Sequence, residues 1–395
     1  MRFGDFLNRH KSIFLNDIDK RELELKDEIK KSKFLVIGGA GTIGQAVTRE
    51  IFSREPKKLD VVDINENNLV ELVRDLRSSI GYISGEFDTF TLPIESDEFE
   101  ILLQDRGPYD YVLNLSALKH VRNEKDPYTL SRMIDVNIFN TLKSLRLSQK
   151  MGAKKYFCVS TDKAANPTNL MGATKRIMED FLQFEESATT VSSARFANVA
   201  FSDGSLLYGF QERFNKRQPL SAPNEIKRYF VTPKEAGELC LLSCIFGSHR
   251  EIFFPKFYPE EDLISFTSLA VRFLEINGYK PIIMGSEDEA RTYQHEITSS
   301  KEWPCFFFDS DTTGEKIAEE FYTMDEDVNL NRFDKIGIVQ MKKVLNNKTL
   351  AEFMSQMNNM KKSKLLMRDE IKNLIYKLVP ELSHKETGKF LNERM

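Results

Sequence analysis

The residues that could do chemistry begin with Thr161, Asp162 and Lys163, which bring a hydroxyl, a carboxyl and an amine together. The apolar run 155–159 directly before them predicts a buried strand, so the three side chains would follow its carboxyl end. Ligands of open α/β sheets bind at that edge of the sheet. An acid and a base there could move protons on a bound substrate. The alternative interpretation is a capped, ion-paired turn.

Met171 and Lys175 follow, at the start of a predicted helix that continues through 176–182. Four residues separate the two side chains, so they lie on the same face of that helix. The helix leaves the same sheet edge that the predicted strand enters. We therefore expect a second amine close to the first cluster.

A glycine-rich turn connects the first predicted strand, 34–37, to the helix 45–52. It consists of Gly38, Gly39, Ala40, Gly41, Thr42, Ile43 and Gly44. Three spaced glycines would serve a tight turn, a close approach of the backbone to a pyrophosphate, and close packing of helix on strand. The helix N-terminus adds unpaired N–H groups and a favourable dipole. A P-loop is disfavoured because no Gly-Lys-Ser/Thr follows, so the turn predicts a dinucleotide site.

Asp63 ends the second predicted strand, 59–63, and falls 19 residues after Gly44. An acidic side chain near that offset bonds the ribose hydroxyls of the adenosine and repels a 2′-phosphate. The position therefore favours NAD over NADP as cofactor. The alternative interpretation is that Asp63 caps the next helix, 66–76.

Further strands are predicted at 87–92, 109–115 and 190–196, with helices between them. This alternation predicts an α/β fold with a doubly wound parallel Rossmann sheet. The fourth strand ends at Ser116 and Ala117, small residues that would let a cofactor lie close. The expected domains are a helical N-terminal extension (1–32), an NAD-binding Rossmann domain (33–200), a smaller mixed substrate-binding subdomain (201–335) and a helical C-terminal extension (336–395). The extension at the N-terminus is expected to be a solvated helix, with a packing arm for a second subunit as the alternative.

Composition excludes several classes of function. The 395 residues carry a formal net charge of −4, which does not favour a nucleic-acid surface. No apolar run is long enough for a membrane span, and the first residues form no signal-peptide pattern. Four cysteines and five histidines show no spacing typical of metal ligands, so we expect reduced core cysteines, no metal and a cytoplasmic protein.

With these motifs the chain resembles the nucleotide-sugar 4,6-dehydratases of bacterial polysaccharide biosynthesis, which are extended short-chain dehydrogenase/reductases. The matching stretches are 38–44, 114–121, 160–175, 195–199, 227–232 and 314–320. Three features depart from the family pattern. Met171 stands where the wider superfamily has its tyrosine base, as in one branch of the family. The residues 92–94 replace an expected Gly-Asp-aliphatic turn, and 285–312 and both ends have no counterpart in compact members.

The resemblance implies tightly held NAD and a nucleotide-linked N-acetylglucosamine, with UDP as the expected carrier. It implies oxidation at carbon 4 of the sugar, loss of water across carbons 5 and 6, and hydride return to carbon 6. Thr161 would bond the carbon-4 hydroxyl, and Lys175 the nicotinamide ribose. Asp162 would be the acid for the carbon-6 hydroxyl, which requires a raised pKa. Lys163 would be the base at carbon 5, which requires a lowered pKa.

The remaining site residues are also implied by the resemblance. Asn198 and Arg228 match positions that hold the substrate diphosphate, although a surface ion pair is an alternative for Arg228. Lys119 is a cation near the expected phosphates, although an ordinary surface lysine is the alternative. Asn137 joins the cofactor set, although an asparagine inside the predicted helix 128–149 would ordinarily face water.

Two other functions stay open. An NAD-dependent nucleotide-sugar epimerase would need the carbon-4 redox step but neither Asp162 nor Lys163. A catalytically silent NAD-binding scaffold is kept open by Met171. The resemblance also implies a homo-oligomer, because extended short-chain enzymes usually pair through the helices matching 128–149 and 174–186. The expected apolar stripes are Ile134, Ile138 and Leu142 on one helix and Ile177, Phe181 and Leu182 on the other, although these could equally face the sheet.

Overall fold

A nine-stranded sheet forms the centre of the protein in the computed structural model. The model describes residues 6–184, 188–296, 301–310, 316, 318–342, 347–384 and 386–388. The strands of this sheet are β1 (Lys33–Ile37), β2 (Lys58–Asp63), β3 (Glu86–Thr91), β4 (Tyr111–Asn114), β5 (Lys155–Thr161), β6 (Thr190–Phe196), β11 (Glu251–Pro255), β15 (Asp327–Asn329) and β16 (Ile336–Gln340). Their order is β15-β16-β11-β6-β5-β4-β1-β2-β3. The six strands before residue 200 pair in parallel, as the alternating pattern predicts.

Helices cover both faces of this sheet. Those of the first half are α1 (Leu15–Asp19), α2 (Glu22–Lys31), α3 (Thr42–Phe52), α4 (Glu66–Ser79), α5 (Asp97–Arg106), α6 (Pro127–Ile134), α7 (Asn140–Lys150) and α8 (Leu170–Phe184). Alternate residues of β1 enter two separate cores, Phe34 and Val36 on one face and Leu35 and Ile37 on the other. A strand buried on both faces is mostly apolar, which explains the unbroken apolar run of β1.

The sheet extends beyond the expected limit of the Rossmann domain at residue 200. Strand β11 continues the parallel sheet beside β6, and β16 pairs with β11 in antiparallel register. The expectation that residues from 336 onward are helical is therefore wrong for Ile336–Gln340. The helical extension consists of α14 (Asn347–Lys362) and α15 (Arg368–Leu378).

A smaller mixed region lies between these strands along the chain. Its further elements are β7 (Asn198–Val199), α9 (Leu206–Asn215), β8 (Leu220–Pro223), β9 (Lys227–Arg228), β10 (Phe230–Val231), α10 (Pro233–Phe246), α11 (Pro259–Asp262), β12 (Ile264–Ser265), α12 (Phe266–Ile276), β13 (Lys280–Met284), α13 (Glu287–Glu296) and β14 (Glu302–Phe308). Strands β13, β14 and β8 form a three-stranded parallel sheet. A third core lies against this sheet, and Phe6 and Leu7 of the N-terminal segment belong to it.

The N-terminal extension packs on the body of the protein instead of being solvated along its length. Leu25 and Ile29 of α2 are fully buried in the first core. The buried Asp17 carboxylate accepts the backbone N–H groups of Asp334 and Lys335, at 2.7 and 2.8 Å. The extension is thereby fixed to the loop before β16.

The predicted helix 128–149 is interrupted by a π-helical turn, Asp135–Phe139, between α6 and α7. The six apolar side chains expected to form an interface on this helix and α8 are all buried within the chain, at most 5% exposed. The C-terminal helix α15 packs against α6 and α8. These stripes are therefore not free for a second subunit, and the homo-oligomer stays a prediction that would need another surface.

The contact between α3 and α10 offers a test of this packing. A Cβ on Gly237 of α10 would lie 2.7 Å from the carbonyl carbon of Ala46, whereas a Cβ on Gly209 of α9 would meet nothing within 4 Å. Gly237→Ala should therefore destabilise the protein by about 1–3 kcal/mol. Gly209→Ala, the matched control, should be neutral or add up to about 1 kcal/mol. Urea unfolding of both variants measures the difference, and equal effects would contradict the assigned helix contact.

Candidate functional site

The glycine turn between β1 and α3 has the geometry that a close ligand needs. Gly38 has a φ of +72°, and a Cβ there would lie 2.7 Å from the backbone nitrogen of Ser116. A Cβ on Gly44 would lie 2.2 Å from the carbonyl oxygen of Gly38, so helix and turn pack backbone to backbone. A Cβ on Gly41 would meet only one atom, at 3.7 Å, so the turn is open at that point.

The N-terminus of α3 lies beside this opening. Its N-cap is Gly41, which has no side chain to cap the first-turn N–H groups. Such a terminus favours an anion. The Thr42 hydroxyl makes a 3.2 Å hydrogen bond to the Asp203 carboxylate, and Ile43 packs against the first core. Thr42 thus connects the turn to the mixed region.

Asp63 ends β2 beside the glycine turn. Its Oδ2 accepts the backbone N–H of Ala40 at 2.9 Å, and its Oδ1 accepts that of Asn65 at 2.9 Å. The alternative that Asp63 caps the next helix is wrong, because the N-cap of α4 is Asn65. The carboxylate therefore stands at the position expected for ribose recognition and also holds the turn.

Thr161, Asp162 and Lys163 meet at the carboxyl end of β5. The Thr161 hydroxyl donates to Asp162 Oδ1 at 2.8 Å, and Lys163 Nζ donates to the same oxygen at 3.0 Å. Residues Asp162–Ala164 form a 3₁₀ turn that buries the carboxyl. Burial raises the pKa of Asp162, although the Lys163 ammonium opposes the shift. A raised pKa is the shift expected for a general acid.

The expectation that the pKa of Lys163 is lowered is wrong. Burial alone would lower the pKa of its amine, but the carboxylates of Asp162 and Glu319 raise it above its usual value. Glu319 Oε1 lies 3.4 Å from Lys163 Nζ. In this arrangement Lys163 is an ammonium ion that two carboxylates hold.

Glu319 is a site residue that sequence reasoning did not single out. Arg228 Nη2 lies 3.8 Å from Glu319 Oε1, so one carboxylate oxygen lies near two cations. Its other oxygen, Oε2, is buried and has no hydrogen-bond partner among the described residues. Glu319 belongs to the stretch 314–320 that supported the resemblance, which was the available signal. The sequence 314–321 predicts the beginning of a helix; this range lies partly outside the described residues, and 318–321 are not helical.

Lys175 lies in the first turns of α8, buried below the site. Its Nζ donates to the carbonyl oxygen of Val159 in β5 at 3.0 Å. Burial lowers the pKa of the amine to about 8. The structure therefore places a second amine near the β5 end, and its protonation changes close to neutral pH.

Met171 lies in the first turn of the same helix, and its backbone N–H donates a hydrogen bond to a buried carboxylate. Glu124 Oε1 accepts the Met171 N–H at 2.8 Å. Glu124 Oε2 lies 3.2 Å from Nε2 of His384, which comes from the C-terminal extension. In the same extension, Arg368 donates a hydrogen bond to the Glu124 carbonyl oxygen at 2.6 Å. The Ser383 N–H donates one to the Pro167 carbonyl oxygen at 3.1 Å. We refer to these contacts of 368–384 as the C-terminal clamp.

The π-helical turn explains why Asn137 is fully buried and does not face water. Its Oδ1 accepts the Leu118 N–H at 2.9 Å, and its Nδ2 donates to the Leu118 carbonyl and to the Thr174 hydroxyl, each at 3.0 Å. Asn137 therefore positions the segment after β4, where Ser116 and Ala117 lie partly exposed, against α8. A π turn at a functional site is a recurrent arrangement.

The three residues expected at a diphosphate, Asn198, Arg228 and Lys119, each make a contact within or to the mixed region. The Asn198 N–H donates to the carbonyl of Tyr229, the residue after Arg228, at 3.0 Å. Arg228 donates to the carbonyl oxygen of Lys316 at 2.9 Å. Lys119 donates to the Ser202 hydroxyl at 3.3 Å, and burial lowers the pKa of its amine. Arg228 is buried, so the surface ion pair considered as its alternative is wrong.

A buried charge network lies beneath these residues. Arg195 in β6 is fully buried and donates to both oxygens of Glu179, at 2.8 and 3.0 Å, and to Glu326 at 2.7 Å. Ser160 donates to Glu179 at 2.6 Å. Burial would raise the pKa of Glu326, but the Arg195 hydrogen bonds lower it to about 2. The network connects the end of β5 to α8 and to the segment before β15.

Other features limit the kind of site. Among the described residues, no group of three or more histidine, cysteine or acidic side chains could hold a metal ion. The four cysteines are buried and free. No helix in the described part of the chain combines the length and apolarity that a membrane crossing requires.

Comparison with known sequences gives a consistent picture. A family profile described as "Polysaccharide biosynthesis protein" matches residues 34–341. An uncharacterized membrane protein of Methanocaldococcus jannaschii is 29% identical over 89% of this chain and 97% of its own length. The capsular polysaccharide biosynthesis protein CapD of Staphylococcus aureus is 29% identical over 71% of this chain but only 48% of its own length. The UDP-N-acetylglucosamine 4,6-dehydratase (inverting) of Campylobacter jejuni is 25% identical over 66% and 80%.

Solved structures share the fold. Pen from Bacillus thuringiensis has a TM-score of 0.63 and 23% identity, over 81% of this chain and 90% of that one. The Bordetella bronchiseptica enzyme WbmF, solved with NAD+, has a TM-score of 0.52 and 17% identity over 64% and 80%. UDP-glucose 4-epimerase of Thermotoga maritima, solved with UDP-glucose, has a TM-score of 0.53 and 19% identity over 74% and 90%. These similarities confirm the α/β fold.

The buried amine of Lys175 predicts a pH-dependent stability. In the folded chain it loses its proton at a pH of about 8, whereas an unfolded lysine keeps it to about 10.4. Between these values the unfolded chain binds more protons, so stability rises with pH. The wild type should therefore gain roughly 3 kcal/mol over Lys175→Met between about pH 7 and pH 10. Urea unfolding of both proteins across this range measures the gain, and parallel profiles would contradict the assigned burial.

Proposed function

We propose that this chain, which belongs to the polysaccharide biosynthesis protein family, is an NAD-dependent nucleotide-sugar 4,6-dehydratase. Its substrate would be a nucleotide-linked N-acetylglucosamine, with UDP as the expected carrier. The observation that carries the proposal is the buried cluster at the end of β5, where Asp162 has a raised pKa and lies within hydrogen-bond distance of Thr161 and Lys163. A raised pKa favours the protonated carboxyl, which is the form that loss of a hydroxyl as water requires.

The residues present fit NAD. The opening at Gly41 and the uncapped N-terminus of α3 would take the pyrophosphate, since both offer backbone N–H groups to an anion. The Asp63 carboxylate would accept the ribose hydroxyls of the adenosine. Lys175 would bond the nicotinamide ribose. NAD, when bound, accepts a hydride from carbon 4 of the sugar and returns it to carbon 6.

The chain's own side chains would handle the protons. Thr161 would hydrogen-bond the carbon-4 hydroxyl, and Lys175, with an amine whose pKa is about 8, would take up the proton released there. This role falls to Lys175 because Met171 has no group that can accept a proton. Asp162 would deliver its proton to the carbon-6 hydroxyl. Lys163, after releasing its own proton to solvent, would remove the hydrogen from carbon 5, which the carbon-4 ketone has made acidic. It would return that proton to carbon 5 when the hydride reaches carbon 6.

Arg228 and Asn198 would hold the substrate diphosphate, and Lys119 would add a second cation. The planar guanidinium suits phosphate oxygens, because it offers two parallel donors. Its buried position means that the charge has already lost much of its hydration. An arriving diphosphate would therefore find a preformed cation.

An epimerase is the second candidate, and the raised pKa of Lys163 is the observation that favours it. A lysine held as an ammonium between two carboxylates would suit a positioning role better than proton removal from carbon 5. The carbon-4 oxidation would then use Thr161 and Lys175 alone. A silent NAD-binding scaffold is the third candidate, in which the same cluster would be a structural turn.

Incubation of the purified protein with UDP-N-acetylglucosamine separates these candidates. We expect a product lighter by one water, measured by mass spectrometry. Asp162→Asn and Lys163→Ala should each lower its formation by about 10²–10⁴-fold, the effect of a missing general acid or base. Asp327→Asn, which removes an exposed carboxylate outside the site, is the control. An unchanged mass with inverted stereochemistry would indicate an epimerase, and no turnover would indicate a scaffold.

The cofactor preference can be tested at Asp63. Asp63→Asn keeps an oxygen that can accept the Ala40 N–H but removes the negative charge. Without that charge a 2′-phosphate is no longer repelled, so the ratio of the Kd values for NADP and NAD should fall by about tenfold or more. Isothermal titration calorimetry of both proteins measures it. Copurification of the unaltered protein with NADP would show that the interpretation of Asp63 is wrong.

A further inference from the structure

A third ionisable group, Glu319, lies beside the Asp162–Lys163 pair that the proposed function uses. Lys163 Nζ lies 3.0 Å from Asp162 Oδ1 and 3.4 Å from Glu319 Oε1, so two carboxylates share one ammonium. Asp162 and Glu319 are both almost fully buried. Three ionisable groups at such distances titrate together, because each charge changes the energy of the other two.

Glu319 is the member whose charge the surroundings favour. Burial alone would raise its pKa, but the cations of Lys163, Arg228 and Lys316 together lower it. Asp162 is in the opposite situation: burial raises its pKa, the negative charge of Glu319 adds to this effect, and Lys163 is the one cation among the described residues that opposes it. The surroundings therefore shift the pKa values of the two carboxyl groups in opposite directions, although both groups lie close to the same ammonium.

We propose that Glu319 is a positioning residue for the Asp162–Lys163 pair, acting as the counter-ion of the Lys163 ammonium and so leaving the proton of the cluster on Asp162. The proposal rests on the proposed dehydratase, because only elimination of the carbon-6 hydroxyl needs a protonated Asp162. It goes beyond that function by naming the group that decides which carboxyl carries the proton.

The unpartnered oxygen of Glu319 supports this assignment. A buried carboxylate oxygen without a hydrogen-bond partner is costly, because its hydration is lost without replacement. Because Oε2 has no hydrogen-bond partner among the described residues, attraction to Lys163, Arg228 and Lys316 has to offset most of the cost of burying this charge. Removing the charge should abolish the cost of burying it at Glu319. The Lys163 ammonium would then interact with the Asp162 carboxyl group alone of the two.

Glu319→Gln provides the test, because glutamine keeps the size of the side chain and removes its charge. The pKa values of Asp162 and Lys163 should both fall, since each is raised by the Glu319 charge. Both limbs of the pH profile of kcat for water loss should therefore move to lower pH, by about one to two units for a charge at this distance. A residue that only supports the fold would change the amplitude and leave the limbs in place.

Glu320→Gln is the matched control. Glu320 is the next residue, is exposed, and accepts a hydrogen bond from Asn166 at 2.9 Å; no contact joins it to Asp162 or Lys163. Its pH profile should equal that of the wild type. Glu319→Asp, which restores the charge on a shorter side chain, should recover part of the wild-type profile.

A second measurement separates failure of this proposal from failure of the proposed function. Competitive labelling of lysines with acetic anhydride over a series of pH values, read by mass spectrometry, reports the pKa of Lys163 without any turnover. The value should be lower in Glu319→Gln than in the wild type and in Glu320→Gln. If the labelling shifts but no water is lost from any substrate, the charge assignment holds and the dehydratase proposal fails. If Lys163 labels identically in all three folded proteins, the proposal for Glu319 is overturned.

Discussion

The fully buried guanidinium of Arg195 is the constraint on which the rest of the site depends. It pairs with Glu179 of α8 through two hydrogen bonds and with Glu326 through two more. Glu179 in turn accepts a hydrogen bond from the hydroxyl of Ser160, next to the cluster of Thr161, Asp162 and Lys163. Losing one partner of such a buried pair costs on the order of 3–5 kcal/mol, because the remaining charge has no hydration. The strand end that carries the acid and the helix that carries Lys175 are therefore held at a fixed separation.

Sequence reasoning recovered the parts of this molecule that local patterns encode. Parallel strands buried on both faces give apolar runs, as in β1, β4 and β5, and the alternation of strands with helices predicted the other three of the first six strands. The glycine turn was visible because a backbone that approaches Ser116 within van der Waals distance at Gly38 leaves no room for a side chain. Asp63 could be singled out from the sequence because one helix and one strand set the number of residues between it and the glycine turn.

Contacts between distant parts of the chain were not visible, since no period or spacing records them. Glu319 meets Lys163 only after the mixed region has folded back over β5, and its charge reverses the expected pKa shift of that lysine. Asn137 looked like a surface residue because a π turn that rotates it inward follows no helical period. The apolar stripes of α6 and α8 looked like an interface because the helix that packs on them lies far along the chain.

The C-terminal clamp has a consequence for how the protein is made. The carboxylate of Glu124 that caps Met171 lies against His384, and both flanking contacts come from the same late segment. On the ribosome, the glycine turn and the cluster of Thr161, Asp162 and Lys163 emerge long before that segment is translated. Until the segment has emerged, a nascent chain carries these residues without the contacts that hold the start of α8. The final arrangement of the site therefore depends on a segment that is made much later than the residues of the site itself.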